Sequence, residues 1–232
     1  DYKHPYMVSR PVDKVGYIVI TSDRGLAGGL NINLFKALSK SIQQYQDQSV
    51  QAEFAVIGAK GVSFFKNFGS KVTSAVTDYG DKPTFEQLNA PVQAMLEDYS
   101  NGKLDRIYVV YNQFVNAMTQ KPIVNQLVPL PEGSFGDEES GIQTELSWDY
   151  IYEPDIKTLI DELLGRYIES IVYQAVMENI ASEQSSRMVA MKAATDNAGD
   201  LINDLQLVYN KLRQAAITRE ISEIVGGAAA VS

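Results

Sequence analysis

After Pro154 the sequence contains no further proline, and the run that follows is too long for any single compact domain of this size to enclose. Proline suits the first turn of a helix, so Pro154 reads as an entry point. An uninterrupted helix over Asp155–Val225 would reach roughly 105 Å at ~1.5 Å per residue. Within it Met188, Met191, Thr195, Ala198, Ile202, Leu205, Tyr209, Leu212 and Ala216 recur at alternating steps of three and four residues. That spacing is the apolar seam of a coiled coil, which needs a partner helix. An earlier stripe, Ile156, Ile160, Leu163, Tyr167 and Ile171, extends the pattern back towards the proline. Gly165 and Gly199 are weak points, costing about 1 kcal/mol each relative to alanine. Nothing in the first part of the chain offers a second helix of comparable length.

The part before Pro154 has a different rhythm. Val15–Thr21, Ala52–Ile57, Val72–Val76 and Arg106–Tyr111 are β-branched and aromatic runs of strand length. Their near-continuous apolarity predicts strands buried on both faces. Between them Phe35, Leu38, Ile42 and Tyr45 keep helical spacing, as do Phe85, Leu88, Val92, Met95 and Tyr99. Thr84 with Gln87 forms a capping-box pattern for the second helix, and Pro91 within it predicts a kink or restart. Alternating strands and helices imply right-handed crossovers and a largely parallel sheet. Gln120–Leu130, with Pro122 and Pro129, reads as one more, edge strand.

These patterns predict an α/β fold: a Rossmann-like, largely parallel sheet domain followed by one very long C-terminal coiled-coil helix. The expected organisation is a globular domain over 1–147, a connector over 148–154 and the helix over 155–232. The segment 131–145 is rich in glycine, serine and acid and reads as an exposed loop. Its carboxylates, Asp137, Glu138 and Glu139, lack the spaced ligands and turn glycine of a calcium loop and read as a solvated charge run.

Several kinds of chemistry find little support. The net charge of −9 opposes nucleic-acid binding, which is built on clustered Lys and Arg. The absence of cysteine removes disulfides and thiolate metal sites, as in a chain of a reducing compartment. No run approaches the roughly 18 consecutive apolar residues of a membrane span, and Asp1-Tyr2-Lys3-His4 does not open a signal segment, so a soluble, non-secreted protein without membrane insertion is expected. Ser22-Asp23-Arg24-Gly25-Leu26-Ala27-Gly28-Gly29 follows the first strand, where a dinucleotide fold holds its pyrophosphate, but matches neither phosphate-binding glycine pattern. Its glycines read as permitting a tight strand-to-helix turn. The single histidine, His4, lies near the start, and no nucleophile elbow occurs. No catalytic residue, metal site or cofactor is therefore expected. Trp148, Tyr150 and Tyr152 alternate as an extended segment, the pattern of core packing or of a contact surface.

The loop SDRGLAGGLNINLFK, the stretch MKAATDNAG and the end QLVYNKLRQAAITREISEIVGGAAAV together resemble the gamma subunit of bacterial F-type ATP synthases. The resemblance runs from about Tyr2 through Val231. It implies an α/β domain set between two long helices that wind into an antiparallel coiled coil, which accounts for the seam. The family begins with a long N-terminal helix, whereas this sequence starts at Asp1 near the entry to the α/β domain, so the function implied is that of the protein carrying both helices.

That function is a non-catalytic, rotary central stalk at the cytoplasmic face of the bacterial inner membrane. Its partners would be the alpha and beta subunits of the catalytic ring, the epsilon subunit and the proton-driven c-ring, with ATP chemistry residing on beta. By position, Arg187 would approach the beta subunit, while Arg213, Gln214, Thr218, Glu220 and Glu223 would meet the ring higher on the shaft. Tyr150, Tyr152 and Glu153 would face the c-ring and epsilon. Val225–Val231 would sit in an apolar bearing at the shaft tip. Two other classes fit the pattern less well: a Rossmann-type nucleotide enzyme with a helical tail, and a self-associating coiled-coil scaffold.

Overall fold

The computed structural model describes residues 4–46, 50–131 and 156–231. Five strands form one sheet: β1 (Lys14–Ile20), β2 (Gln51–Ile57), β3 (Val72–Val76), β4 (Arg106–Asn116) and β5 (Thr119–Val128). Their spatial order is β3-β2-β1-β4-β5. The contacts β1/β2, β1/β4 and β2/β3 are parallel, and β4/β5 is an antiparallel hairpin. Crossovers run through α1 (Leu30–Gln46), α2 (Ala59–Phe68) and α3 (Phe85–Ser100).

The central strand shows why its sequence is apolar on consecutive positions. Every residue of β1 after Lys14 is buried on one face or the other. Val15, Tyr17 and Val19 pack with Leu34 and Leu38 of α1 and Phe65 of α2. Ile18 and Ile20 point the opposite way, towards Leu88, Val92 and Met95 of α3. The edge strand expected from Pro122 is β5, where Pro122 pairs with Asn112 at the margin of the sheet. An edge position tolerates the missing N–H.

Two local expectations need revision. α3 does not restart at Pro91 but runs on as one helix, with that proline buried in it. One backbone bond is lost there, and burial of Leu88, Val92, Met95 and Tyr99 on the same helix holds the turn together. Its start follows the capping-box pattern, with the Thr84 N–H donating to Gln87 Oε1 at 3.0 Å. α2 was not evident in the sequence: it is ten residues long and contains Gly61, so its periodicity is brief. Gly61 is there for space, because a β-carbon at that position would lie 2.6 Å from Val56 Cγ1.

The last element, α4, spans Ile156–Val231 and belongs to two units. The first unit is Asp1–Arg187 and the second is Met188–Ser232. In the first unit α4 shares a sheet face with α3: Ile168, Val172, Ala175, Val176 and Ile180 join the core formed by Ile18, Ile107, Val109 and Tyr111. The buried line is Leu164, Ile168, Val172, Val176 and Ile180, one position over from the stripe expected in the sequence. Leu163 of that expected stripe is 58% exposed. Burying each such aliphatic side chain contributes about 1.5–3 kcal/mol.

The second unit is helix alone. Every side chain from Met191 to Ala229 is exposed, the whole remainder of the expected seam included. Among the described residues, no helix is long and apolar enough to cross a membrane.

Candidate functional site

In doubly wound sheets, ligands lie beyond the carboxyl ends of the strands, where the strand order reverses. Here that point is between β1 and β4. The loop after β1 is built on its own polar contacts. Ser22 N–H donates to Asn31 Oδ1 at 3.2 Å, and the Asn31 amide donates to Ser22 Oγ at 2.7 Å. Asp23 accepts from Ala59 N–H at 2.9 Å and from Tyr79 N–H at 3.1 Å, tying the loop to the ends of β2 and β3. The Tyr79 hydroxyl donates to the Thr21 carbonyl at 2.8 Å. Burial, reinforced by Glu183 and Asp23, pushes that phenol far above its ordinary range, so it stays a donor.

α4 reaches this same place. Ser186 Oγ donates to the Ala27 carbonyl at 2.6 Å, and Arg187 directs Nε and Nη2 to the Gly25 carbonyl, both at 3.4 Å. Arg187 also pairs with Glu183, whose side chain is only 8% exposed. Deeper in, the Asn179 side-chain oxygen accepts from the Asn112 backbone at 3.3 Å and from its amide at 2.9 Å. Ser182 Oγ donates to the Asn112 carbonyl at 2.9 Å. A polar cavity of about 140 Å³ is lined by Gly29, Leu30, Asn33, Asn112, Gln120 and Ser186, and another of about 160 Å³ by Asp23, Arg24, Asp78, Tyr79, Gly80, Asp81 and Glu183. The loop glycines thus serve a turn whose carbonyls receive a helix.

This polar line was missed in the sequence, although its signal was present. Asn179, Ser182, Glu183 and Ser186 continue, at three- and four-residue spacing, the stripe begun by Ile168, Val172 and Val176. A stripe that turns polar without leaving its face marks contact with strand ends and loops, whose backbone groups need partners.

The expected contact residues fall in separate places. Arg187 is at the loop, half-buried, beside Leu26, which is 74% exposed and holds a left-handed backbone with φ 63°. Arg213, Gln214, Thr218, Glu220 and Glu223 are all exposed on the helical second unit. Gln214 and Thr218 are one turn apart on one face. Continued past Ala216, the alternating spacing of the apolar seam falls on Arg219 and Glu223, so the seam turns charged there, and Glu220 lies beside it. Glu223 accepts from Arg219 Nε at 3.1 Å. Tyr150, Tyr152 and Glu153 lie outside the described residues. Among the described residues, no cluster of three or more metal-ligating side chains occurs.

Comparison with known proteins decides what such a chain is. A family described as ATP synthase matches residues 1–231. The ATP synthase gamma chain of Psychrobacter arcticus is 94% identical over 232 residues, covering all of this chain and 79% of that protein. The chain belongs to the ATP synthase gamma family. Gamma chains of other bacteria agree, that of Acinetobacter baumannii being 64% identical over 231 residues, with 79% of its length covered. Among solved structures, a chain of the Euglena gracilis mitochondrial ATP synthase OSCP/F1/c-ring assembly, in rotational state 3, matches with a TM-score of 0.68 and 25% identity. The match covers 95% of this gamma-family chain and 73% of that one. A chain of the rotor of the same enzyme matches in fold, with a TM-score of 0.64 at 22% identity.

Proposed function

We propose that this chain works as the non-catalytic central rotor of a proton-translocating F-type ATP synthase, peripheral at the cytoplasmic face of the bacterial inner membrane. The observation that carries this reading is the exposed seam. A helix with Ile202, Leu205, Tyr209 and Leu212 in solvent is stable only with a partner surface, and its other end is built into the core of an α/β unit. Such a helix transmits position between whatever holds the unit and whatever surrounds the seam.

In this reading the upper helix pairs with a second gamma helix and is enclosed by the alpha and beta subunits, while the α/β unit is held by epsilon and the c-ring. Turning the asymmetric shaft changes the nucleotide affinities of the beta sites in succession, and the coupling runs in both directions. Arg213, Gln214, Thr218, Glu220 and Glu223 meet the ring on the shaft, and Arg187 with the exposed Leu26 meets beta beside the loop. Tyr150, Tyr152 and Glu153 face the c-ring and epsilon. These are contact residues, which contribute charge-assisted hydrogen bonds and shape and no bond-making step.

The substitution Gln214→Leu in the complete protein tests the contact role. The account predicts normal folding and assembly with reduced coupled ATP hydrolysis. Unchanged turnover and proton pumping would contradict it.

A further inference from the structure

The segment of α4 inside the α/β unit carries an unusual repeat. Ile168, Val172, Val176 and Ile180 are buried at intervals of four residues and are all β-branched aliphatics. If the helix slipped by one turn, about 5.4 Å, an aliphatic side chain would take every one of these places in one direction, with Leu164 entering at Ile168, and all but the last in the other, where Gln184 would enter at Ile180. Apolar contact is non-directional, and cores tolerate exchanges that conserve volume. The apolar stripe therefore resists separation from the sheet yet distinguishes poorly between neighbouring registers.

The polar continuation of that stripe does distinguish them. Asn179 is fully buried and accepts both the backbone N–H and the side-chain amide of Asn112 at the end of β4. Ser182, also fully buried, donates to the carbonyl of the same residue. A four-residue slip in one direction brings Ala175 to the place of Asn179, and in the other brings Glu183. The first leaves the donors of Asn112 facing a methyl group, and the second forces a buried carboxylate into a place where a neutral side-chain oxygen accepts from Asn112. An unsatisfied buried donor is costly, whereas the apolar exchange is nearly neutral.

We infer that Asn179, with Ser182 and Ser186, is a register lock: a set of positioning residues that keeps the shaft helix from slipping against the α/β unit under torque. The lock lies at the strand ends through which the helix leaves the unit, where Ser186 grips the Ala27 carbonyl. Its function rests on the rotor reading above, since a helix that transmits torque needs protection against slip.

The test uses the complete gamma chain assembled into its ATP synthase in liposomes. Protons pumped per ATP hydrolysed are measured without and with an opposing proton gradient. Asn179→Leu, close in volume and lacking the amide, is predicted to match the wild-type ratio without load and to lose about fivefold against a gradient, the scale of a removed hydrogen bond. The pair Ser182→Ala with Ser186→Ala gives the same split and serves if Asn179→Leu fails to fold. Val172→Ala, which destabilises the same helix through a cavity, keeps the wild-type ratio under load. Equal ratios under load in all variants, or an equal loss in Val172→Ala, would overturn the lock. Failure of the wild-type complex to pump at all would instead strike the rotor reading.

Discussion

Gly58 passes so close to Thr21 that a β-carbon built on it would lie 2.2 Å from the Thr21 carbonyl oxygen and 2.5 Å from Oγ1. Gly58 also has φ 109°, a conformation that residues with a side chain rarely adopt. Thr21 is fixed from several sides at once, by its N–H and hydroxyl to the Ile57 carbonyl and by the N–H of Gly61 to its Oγ1. It has nowhere to move. Gly58→Ala is therefore predicted to destabilise the α/β unit by about 3 kcal/mol or more, combining backbone strain with displacement of Thr21. Urea unfolding of the two proteins, followed by circular dichroism, measures this; a difference under about 1 kcal/mol would contradict the geometry.

Ile168 tests whether α4 belongs to the core of the first unit. It is fully buried among residues of the sheet and α3. Ile168→Ala should cost about 2–5 kcal/mol, as for other large-to-small core changes. Leu163→Ala, at an exposed neighbour, should cost under about 1 kcal/mol. Equal effects at both positions would mean that the helix face has been assigned wrongly.

The difference between those two positions also shows where sequence reading stops. The central strands were legible because burial on two faces leaves no polar position in Val15 to Ile20 except the glycine and the Tyr17 hydroxyl. Side chains on both flanks of α4 are apolar at four-residue spacing, so periodicity alone permitted the line through Leu163 as readily as the one through Leu164. The choice is made by β4 and α3, which lie far away in sequence. α2 escaped notice for a local reason: Gly61, required by its approach to Val56 and Thr21, interrupts a helix of only three turns. Within the site, Asn179 and Ser182 look unremarkable in sequence, because their significance lies in facing the exposed backbone ends of β4. The family resemblance singled out Arg187 as an expected contact residue but was silent on its hydrogen bonds to the Gly25 carbonyl, which belongs to this loop's backbone and not to a motif.

His4 is buried and bridges two elements: Nδ1 accepts from Tyr6 N–H at 3.0 Å, and Nε2 lies 3.2 Å from Asp161 Oδ1 of α4. Burial lowers its pKa below 6.5, and Asp161 offsets only part of that. The folded state then takes up a proton less readily than the unfolded chain. The resulting contribution to stability is complete above about pH 6.5 and declines as pH falls from there through the folded-state value. His4 is the only histidine, so the effect is separable from other titrations near neutrality. Urea unfolding between about pH 5 and 7.5 should show the wild-type protein losing stability relative to His4→Asn as pH falls. Parallel profiles would show that the histidine is not differentially protonated.

The central claim is that this chain turns, and rotation can be observed directly. The sequence contains no cysteine, and Phe68 is 73% exposed at the end of α2. Phe68→Cys in the complete gamma chain, with any cysteine outside these 232 residues replaced, provides one attachment point on the α/β unit for a bead, with the alpha and beta subunits fixed to a surface. The account predicts sustained unidirectional rotation of the bead on adding ATP, stopping when ATP is withdrawn. ATP hydrolysis by the assembled complex with a stationary or randomly moving bead would contradict it.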